Sequence, residues 1–397
     1  MKVAIIGAGA AGCFCAVTLK QMNPSIEVTV FERAVRPMAK LSITGGGRCN
    51  LTNTFLNISH LQQAYPRGWR LMQRLFRRFS PEDTCRWWER EGVELVTQED
   101  QCIFPRSQDA GQVVRTLSRL MHENGVKLIT DSRITELPQG YDAFVITTGG
   151  SPRLSPLILS LPEATTASFT VSPVPSLFAL NIDDASLQSL MGTTIDDVRV
   201  SIAGTKFQAE GTLLITHFGM SGPAILRLSS YAARHLHEQQ YKVTLSINWM
   251  QGENEDAVRA SLQNYLQSNR LIANHHPQHL TERHWMMLLR RANIPETCRW
   301  DKVNKKELNR LVSILTADTY VVTGRRTHKA EFVTCGGVAL QSVNPDTLAL
   351  RALPNVYLAG EVLDIDGITG GFNLQAAWTT GWIVAQSISQ RAAEPLS

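Results

Sequence analysis

The feature that most constrains this chain is a glycine-rich turn between its first strand and its first helix. A short apolar run at residues 2–6 predicts a strand that leads into Gly7-x-Gly9-x-x-Gly12, and residues 10–22 carry a helical pattern. The next strand, at residues 27–32, ends in Glu32, twenty residues after the last glycine. In such a turn the glycines give a tight bend, room for a pyrophosphate and close packing of helix on strand. The spacing therefore predicts a dinucleotide site rather than a plain tight turn.

The helix start in this motif is expected to present free N–H groups and a positive dipole end to phosphates. Glu32 is placed to accept hydrogen bonds from both ribose hydroxyls of an adenosine, which disfavours a 2′-phosphate. The predicted cofactor contacts of this motif are Gly7, Gly9, Ala11, Gly12, Glu32 and Arg33.

The C-terminal part of the sequence indicates which dinucleotide binds. A second strand ends in Gly360-Glu361, and the pair Gly370-Gly371 opens a helix. FAD needs a polar group beside its ribityl chain and backbone N–H donors beside its pyrimidine ring, and residues 371–374 are candidate donors. The alternative is a glycine-rich loop without a ligand. The contacts predicted here are Gly149, Gly360, Glu361, Gly371, Phe372 and Asn373.

A third segment, TGGGRCNLTN at residues 44–53, has three consecutive glycines followed by a fixed cation. Bare backbone amides beside a guanidinium are typical of a loop that lies against a cofactor, although a flexible loop is the simpler alternative. The predicted cofactor contacts are Lys40, Gly46, Gly47 and Arg48. Cys49 is a candidate proton donor, against the commoner role of a small buried thiol.

His217 is the second candidate catalytic residue. It lies in THFGMSGPAIL, residues 216–226, where a strand is joined to a helix through glycines. It is interpreted as a general acid or substrate contact, with a structural histidine as the alternative. Other histidines lie in polar helical surroundings and are predicted to be at the surface: His235, His237, His275, His276, His279 and His284.

Composition and cysteine usage bound the class of protein. The chain has 397 residues, which predicts two or three domains, and its 39 basic against 35 acidic residues give a net charge of +4. Its seven cysteines form no Cys-x-x-Cys pair and have no histidine at zinc spacing, which favours free thiols in the cytoplasm and no metal. The apolar run at residues 3–19 is interrupted by glycines, so we expect neither a signal peptide nor a membrane span.

The pattern along the chain predicts an α/β fold with a split Rossmann-like FAD-binding domain, an inserted, mainly β domain and a small helical domain. A helical stretch rich in arginine is expected at residues 67–92. The predicted segments are 1–155 and 347–397 for the FAD-binding domain, 170–249 and 318–346 for the mainly β substrate domain, and 250–317 for the helical insertion.

The motifs together resemble a known family, the BaiN/RdsA-type FAD flavoproteins. The resemblance runs from about residue 2 to residue 390 and rests on VAIIGAGAAG, TGGGRCNLTN, EDQCIFPRS, LLITHFGMSGPAIL and AGEVLDIDGITGGFNLQAAW. It implies a split Rossmann-like FAD-binding domain, an inserted β-barrel-like domain at the mainly β segments 170–249 and 318–346, and a small helical domain inserted into that. It also implies a reductase that takes electrons from NAD(P)H through FAD to a conjugated C=C bond. One departure is the SPRLSP segment after Gly150, where relatives carry a glycine-rich segment.

The sequence leaves three functions open. The first is NAD(P)H-dependent reduction of a small or steroid-like substrate. The second is reduction of a uridine in ribosomal RNA, with the arginine-rich helix at 67–78 and the basic cluster at 325–329 binding phosphates, unless these are ordinary solvated faces. The third, suggested by the altered segment, is a flavin-binding module without turnover.

Overall fold

The computed structural model describes residues 1–151, 153–165, 168–326 and 333–393, with the side chains of residues 163 and 165 left out. The chain divides into two compact units. The first comprises Met1–Pro175 and His328–Ser397, and the second comprises Ser176–Thr327.

A parallel sheet forms the centre of the first unit. Its strands are β1 (Lys2–Ile6), β2 (Glu27–Phe31), β6 (Lys127–Ile129), β7 (Ala143–Ile146) and β16 (Val356–Leu358). They lie in the order β16-β7-β1-β2-β6, so β1 is central and has β2 on one side and β7 on the other. The chain therefore changes direction across the sheet at β1. In open parallel sheets, ligands bind beyond the carboxyl end of the strand at such a switch point.

Two small sheets and a set of helices surround this centre. The strands are β3 (Thr52–Asn53), β4 (Leu95–Thr97) and β5 (Cys102–Pro105), in the order β3-β5-β4, and β8 (Thr170–Ser176) beside β15 (Val333–Val338). The helices are α1 (Ala10–Met22), α2 (Thr44–Gly47), α3 (Leu61–Ala64), α4 (Trp69–Leu75), α5 (Pro81–Arg90), α6 (Ala110–Glu123), α7 (Pro156–Leu159) and α14 (Phe372–Ala393). Helix α14 crosses α1 closely, because a Cβ at Gly381 would lie 2.9 Å from the Ala11 carbonyl oxygen.

A closed antiparallel barrel forms the core of the second unit. Its strands are β9 (Ala179–Ile182), β10 (Thr194–Ile202), β11 (Gln208–Thr216), β12 (Gly219–Ser221), β13 (Thr244–Asn248) and β14 (Asp318–Arg326), in the order β10-β11-β12-β9-β14-β13. Its helices are α8 (Ala185–Gln188), α9 (Pro223–Tyr231), α10 (Ala233–Glu238), α11 (Glu255–Leu266), α12 (Glu282–Arg291) and α13 (Lys305–Ala317). The last three are inserted between β13 and β14. The predicted fold class, with a Rossmann-like sheet, a barrel and a helical insertion, is confirmed.

Two elements differ from the predictions. The helix expected over residues 67–92 is interrupted between α4 and α5, because Ser80 caps the N-terminus of α5 and Pro81 occupies its first turn. The strands β8 and β15 both lie in segments predicted for the β-barrel-like domain, but they pair with each other in a separate two-stranded sheet rather than with strands of the closed barrel. Gly336 and Gly337 permit this path, because a Cβ at either position would lie within 2.6 Å of a backbone oxygen.

His284 was predicted to be at the surface, and that prediction is wrong. Its side chain is fully buried on α12, where its ring lies 4.4 Å from that of Trp249. Neither ring nitrogen has a hydrogen-bond partner among the described residues. Burial, with a smaller contribution from the charge of His279, lowers the pKa of His284 to about 3. The folded protein therefore holds this histidine neutral.

The buried histidine predicts a pH dependence of stability. Below about pH 6.5 the unfolded chain binds a proton at His284 that the folded chain excludes, so stability falls from about pH 6.5 toward pH 3, by up to about 1.4 kcal/mol per pH unit. In His284→Leu this loss should be smaller, as measured by the urea midpoint between pH 7 and pH 4.5. The exposed His237→Leu is the control and should keep the wild-type slope. Equal slopes in all three proteins would contradict the assignment.

In the part of the chain that the structure describes, no helix is long and apolar enough to cross a membrane. Within the same residues, no group of three or more His, Cys, Asp or Glu side chains is arranged to hold a metal ion. All seven cysteines are free thiols.

Candidate functional site

The glycine turn after β1 is shaped by close contacts with the end of β7. Gly7 has φ +113°, and a Cβ there would lie 2.4 Å from the Thr147 carbonyl oxygen. A Cβ at Gly12 would lie 2.0 Å from the Gly7 carbonyl oxygen and 2.6 Å from the Thr147 hydroxyl. These two glycines are therefore required by packing between the strand, the turn and α1.

Gly9 differs from its neighbours because it faces open space. Its backbone is extended, with φ −89° and ψ −168°, and a Cβ there would meet no atom within 4 Å. A Cβ at Gly46, Gly47 or Gly149 would also meet no atom within 4 Å, but these three residues have positive φ, which itself favours glycine. At none of these four positions would an added Cβ collide with another part of the protein. An open position at the start of α1 is what close approach of a pyrophosphate requires.

Glu32 lies just beyond the end of β2 and is held by backbone groups. One carboxylate oxygen accepts the Ala8 N–H at 2.8 Å, and the other accepts the Ala34 N–H at 2.9 Å. Each oxygen can accept a further hydrogen bond, so the oriented carboxylate can still bind two hydroxyl groups. Arg33, beside it, is exposed.

Glu361 and Lys40 join the C-terminal segment to the loop after β2. The Lys40 ammonium lies 2.9 Å from one Glu361 oxygen, and the Thr334 N–H donates to the other at 2.7 Å. A Cβ at Gly150 would lie 2.5 Å from the same carboxylate. A polar group is therefore placed where the strands β7 and β16 end. Gly360, with φ +76°, turns the chain into this contact against Ala11.

The segment Thr44–Gly47 is a single turn interrupted by left-handed glycines. Gly45, Gly46 and Gly47 have φ values of +58°, +68° and +84°. Arg48, which follows, is exposed; its guanidinium lies 4.6 Å from the Phe104 ring centre, and its Nε donates to the Gly45 carbonyl. The cation is thus held in place beside two open glycine positions.

The start of α14 offers backbone N–H donors at three of the four residues, 371–374, that the sequence indicated. The Gly371 N–H donates to the Asn50 side chain at 3.1 Å, so it is already engaged. Among the described residues nothing accepts the N–H groups of Phe372, Asn373 or Leu374. The Asn373 side chain is also engaged, since it exchanges two hydrogen bonds of 2.8 Å with the Gly367 backbone. The available donors are therefore the backbone N–H groups of residues 372–374.

Cys49 is fully buried, which speaks against contact with a substrate. Burial raises the pKa of its thiol to about 12, and a hydrogen bond from Thr44 opposes this only in part. Its φ of +62° lets the chain leave the glycine turn. The geometry supports the structural role that was the alternative for this cysteine.

The burial of Cys49 predicts an order of thiol reactivity. The native protein treated with iodoacetamide should be alkylated first at Cys85 and Cys298, which are partly exposed, because reaction requires an accessible thiolate. Cys49 should react only after unfolding in urea, as followed by peptide mass spectrometry. Alkylation of Cys49 in native protein at the rate of Cys298 would contradict its assigned environment.

His217 lies in the second unit, on the exposed turn between β11 and β12. Its ring packs against Phe218 with the ring centres 4.9 Å apart, and no hydrogen bond to it is found within the described ranges. The imidazole is therefore accessible to a ligand.

The basic segments predicted to bind phosphate are partly engaged within the protein. Arg74 makes a two-pronged ion pair with Asp346, and Arg78 donates to the Asp346 carbonyl and to Gln386. Arg70 and Arg77 stay exposed.

In the second basic segment the guanidinium of Arg325 lies 4.7 Å from the Tyr241 ring centre, and that of Arg326 lies 5.2 Å from the Phe218 ring centre. His328 and Lys329 lie outside the described residues.

Comparison with known proteins decides the family. The sequence model of the HI0933-like protein Rossmann domain matches residues 1–387. The chain belongs to the HI0933-like family. This confirms the resemblance found in the motifs, and with it the class of FAD-dependent oxidoreductases.

Relatives of this HI0933-like protein match along nearly their whole length. The 3-dehydro-bile acid delta(4,6)-reductase of Clostridium scindens is 25% identical over 419 residues, covering 98% of this chain and 99% of that protein. The ribosomal RNA dihydrouridine synthase of Escherichia coli is 27% identical over 416 residues, covering 97% of each. Among solved structures, the open conformation of a flavocytochrome c3 fumarate reductase is similar with a TM-score of 0.47 and 12% identity, covering 99% of this chain and 78% of that one.

The residues present fit FAD. The open position at Gly9 is a glycine cradle at the start of α1 that a side chain would narrow, Glu32 is held with free acceptor capacity, and the first N–H groups of α14 are unengaged. The residues that fit the adenosine and pyrophosphate are those of the first glycine motif. The rest of the FAD molecule, its ribityl chain and flavin ring, is fitted by Lys40, Glu361 and the start of α14.

Proposed function

We propose that this HI0933-like protein binds FAD in its first unit and uses NAD(P)H to reduce a conjugated C=C bond of a small or steroid-like molecule. The 25% identity to a bile acid reductase along the whole chain supports this substrate class. The observation that carries the proposal is Gly9 at the start of α1, where neither packing nor the backbone angles require a glycine.

FAD, when bound, supplies the capacity to accept a hydride and pass it on. The protein's part is to bind and orient it. Glu32 is held ready for the ribose, Gly9 keeps side-chain atoms away from the pyrophosphate, and the N–H groups of residues 372–374 stabilise negative charge beside them. Lys40 neutralises Glu361 and holds it at the end of β16.

The proposal is tested with the purified protein loaded with FAD under anaerobic conditions. Addition of NADPH or NADH should bleach the flavin absorbance, and the faster donor identifies the physiological one. A 3-dehydro bile acid with Δ4,6 unsaturation should then restore the absorbance. A flavin that neither nicotinamide reduces would contradict the proposal and favour a module without turnover.

A second candidate is the reduction of a uridine in ribosomal RNA. The 27% identity to a ribosomal RNA dihydrouridine synthase along 97% of the chain favours it, and Arg70 and Arg77 remain exposed for phosphate contacts. In the same assay, ribosomal RNA lacking the modification should then reoxidise the flavin while the bile acid does not. Binding of that RNA should also weaken steeply with salt.

His217 is proposed as the proton donor to the substrate. The substitution His217→Asn should slow reoxidation of the reduced flavin by the alkene about 100-fold or more, because a positioned general acid raises a reaction rate about 10²–10⁴-fold. Reduction of the flavin by the nicotinamide should be unchanged. Stopped-flow measurement of the two half-reactions separates them, and an unchanged rate of alkene reduction would rule out this role.

A further inference from the structure

Four consecutive residues, Asn50–Asn53, fasten the glycine loop to the start of α14. In the amide orientation that satisfies its neighbours, the Asn50 side chain accepts the Gly371 N–H at 3.1 Å and donates to the Thr52 carbonyl at 2.9 Å. The Asn53 amide nitrogen donates to the Gly370 carbonyl at 3.1 Å. The carbonyl and the N–H of the Gly370–Gly371 peptide are therefore both held from the same segment.

The same segment continues into a buried polar network below the helix start. The Thr52 hydroxyl bonds to Gln375, whose amide nitrogen donates to the hydroxyls of Thr84 and Thr379 at 2.9 Å each. The Trp378 ring nitrogen donates to the Leu51 carbonyl at 2.9 Å. All of these side chains are fully buried. A fully satisfied network of this kind fixes one arrangement, because breaking any member leaves a buried polar group unpaired.

The consequence for the helix start is a fixed set of donors. Gly371 has φ +85°, and a Cβ there would lie 2.5 Å from the Thr52 carbonyl oxygen, so the peptide fits only with glycine at this position. With its N–H engaged by Asn50, the next three N–H groups are left for a ligand. Asn50 is only partly buried, whereas Thr52 is fully buried, so Asn50 is the member of the network nearest to the surface.

We propose that Asn50 is a positioning residue that sets the reduction potential of bound FAD, an inference that rests on the function proposed above. A neutral amide orients the Gly371 peptide without adding charge. Aspartate has the same length and can accept the same N–H, but its negative charge would oppose the negative charge that the flavin gains on reduction. Replacing this side chain by aspartate should therefore change the ratio of the affinities for reduced and oxidised FAD.

The experiment compares wild-type protein with Asn50→Asp and Thr52→Val. The measurements are the dissociation constant of oxidised FAD, the midpoint potential by equilibration with a redox dye, and the melting temperature. Asn50→Asp should weaken binding of reduced relative to oxidised FAD at least tenfold, which corresponds to a potential lowered by about 30 mV for a two-electron couple. Thr52→Val breaks the buried network without adding charge, so it should lower the melting temperature and change the potential by much less than Asn50→Asp does.

The outcomes separate the two proposals. Wild-type protein that takes up no FAD would overturn the proposed function and this inference with it. FAD bound at an unchanged potential in Asn50→Asp would overturn this inference alone. If that variant does not fold, the uncharged Asn50→Leu, which no longer accepts the Gly371 N–H, should bind oxidised FAD at least tenfold more weakly. Unchanged affinity would count against the role.

Discussion

Gly9→Ala should bind FAD about 10–100-fold more weakly than the wild-type protein while folding normally. A Cβ at Gly9 meets no protein atom within 4 Å, and the residue's backbone angles suit alanine, so the free energy of unfolding should change by no more than about 0.5 kcal/mol. In the complex the added methyl group would occupy the space of the pyrophosphate, and overpacking of this kind costs about 1–3 kcal/mol. Titration of the apoprotein with FAD, followed by flavin fluorescence, measures the loss.

The matched variant is Gly12→Ala, three residues along the same motif. There a Cβ would lie 2.0 Å from the Gly7 carbonyl oxygen, so the backbone itself has to move. This variant should lose about 3 kcal/mol of stability, as well as FAD binding. If Gly9→Ala keeps wild-type affinity, or is destabilised as much as Gly12→Ala, the separation of packing glycines from ligand glycines is wrong.

The second large effect is expected at the buried ion pair between Arg67 and Asp366. Asp366 is fully buried and accepts two hydrogen bonds from the guanidinium, whose side chain is 17% exposed. Burial alone would lower the pKa of Arg67, but the hydrogen bond and charge of Asp366 raise it above its ordinary value. Asp366→Asn should therefore lower the free energy of unfolding by about 3–5 kcal/mol, since it leaves a buried charge without its counter-charge.

The chain offers a control with the same chemistry at the surface. Arg74 and Asp346 form a similar two-pronged pair, but both side chains are about half exposed. Asp346→Asn should cost no more than about 1 kcal/mol. Urea unfolding monitored by tryptophan fluorescence compares the two variants. Equal small losses of stability in both variants would show that burial does not govern the strength of these ion pairs. The double variant Arg67→Met/Asp366→Leu removes both charges and should be more stable than Asp366→Asn.

Local signals were sufficient for the first glycine motif. The bounds of β1 and α1 follow from an apolar run that ends in glycines and from the helical pattern after it, and the structure places both at the predicted residues. The break between α4 and α5 also has a local signal that a helical periodicity hides. Ser80-Pro81 followed by Asp83 is a helix start, with a capping box in which Ser80 and Asp83 bond each other's backbone.

The contacts that organise the rest of the site join residues far apart in sequence. Asn50 and Gly371 are neighbours in space, as are Lys40 and Glu361, and no periodicity in either segment specifies the pairing. The burial of His284 was hidden for the same reason, because α12 packs its histidine against Trp249, which directly follows β13. A polar helical composition indicates exposure only until a partner for that face is known.

The central claim is that the glycine cradle of the first unit holds FAD. The most direct measurement is a titration of the purified chain with FAD, in parallel with Gly9→Ala, that gives stoichiometry and dissociation constant. The account predicts one FAD per chain, with binding weakened at least tenfold in the variant while the melting temperature of its apoprotein stays at the wild-type value. A wild-type chain that takes up no FAD, or one that binds it equally well with alanine at position 9, would contradict the account.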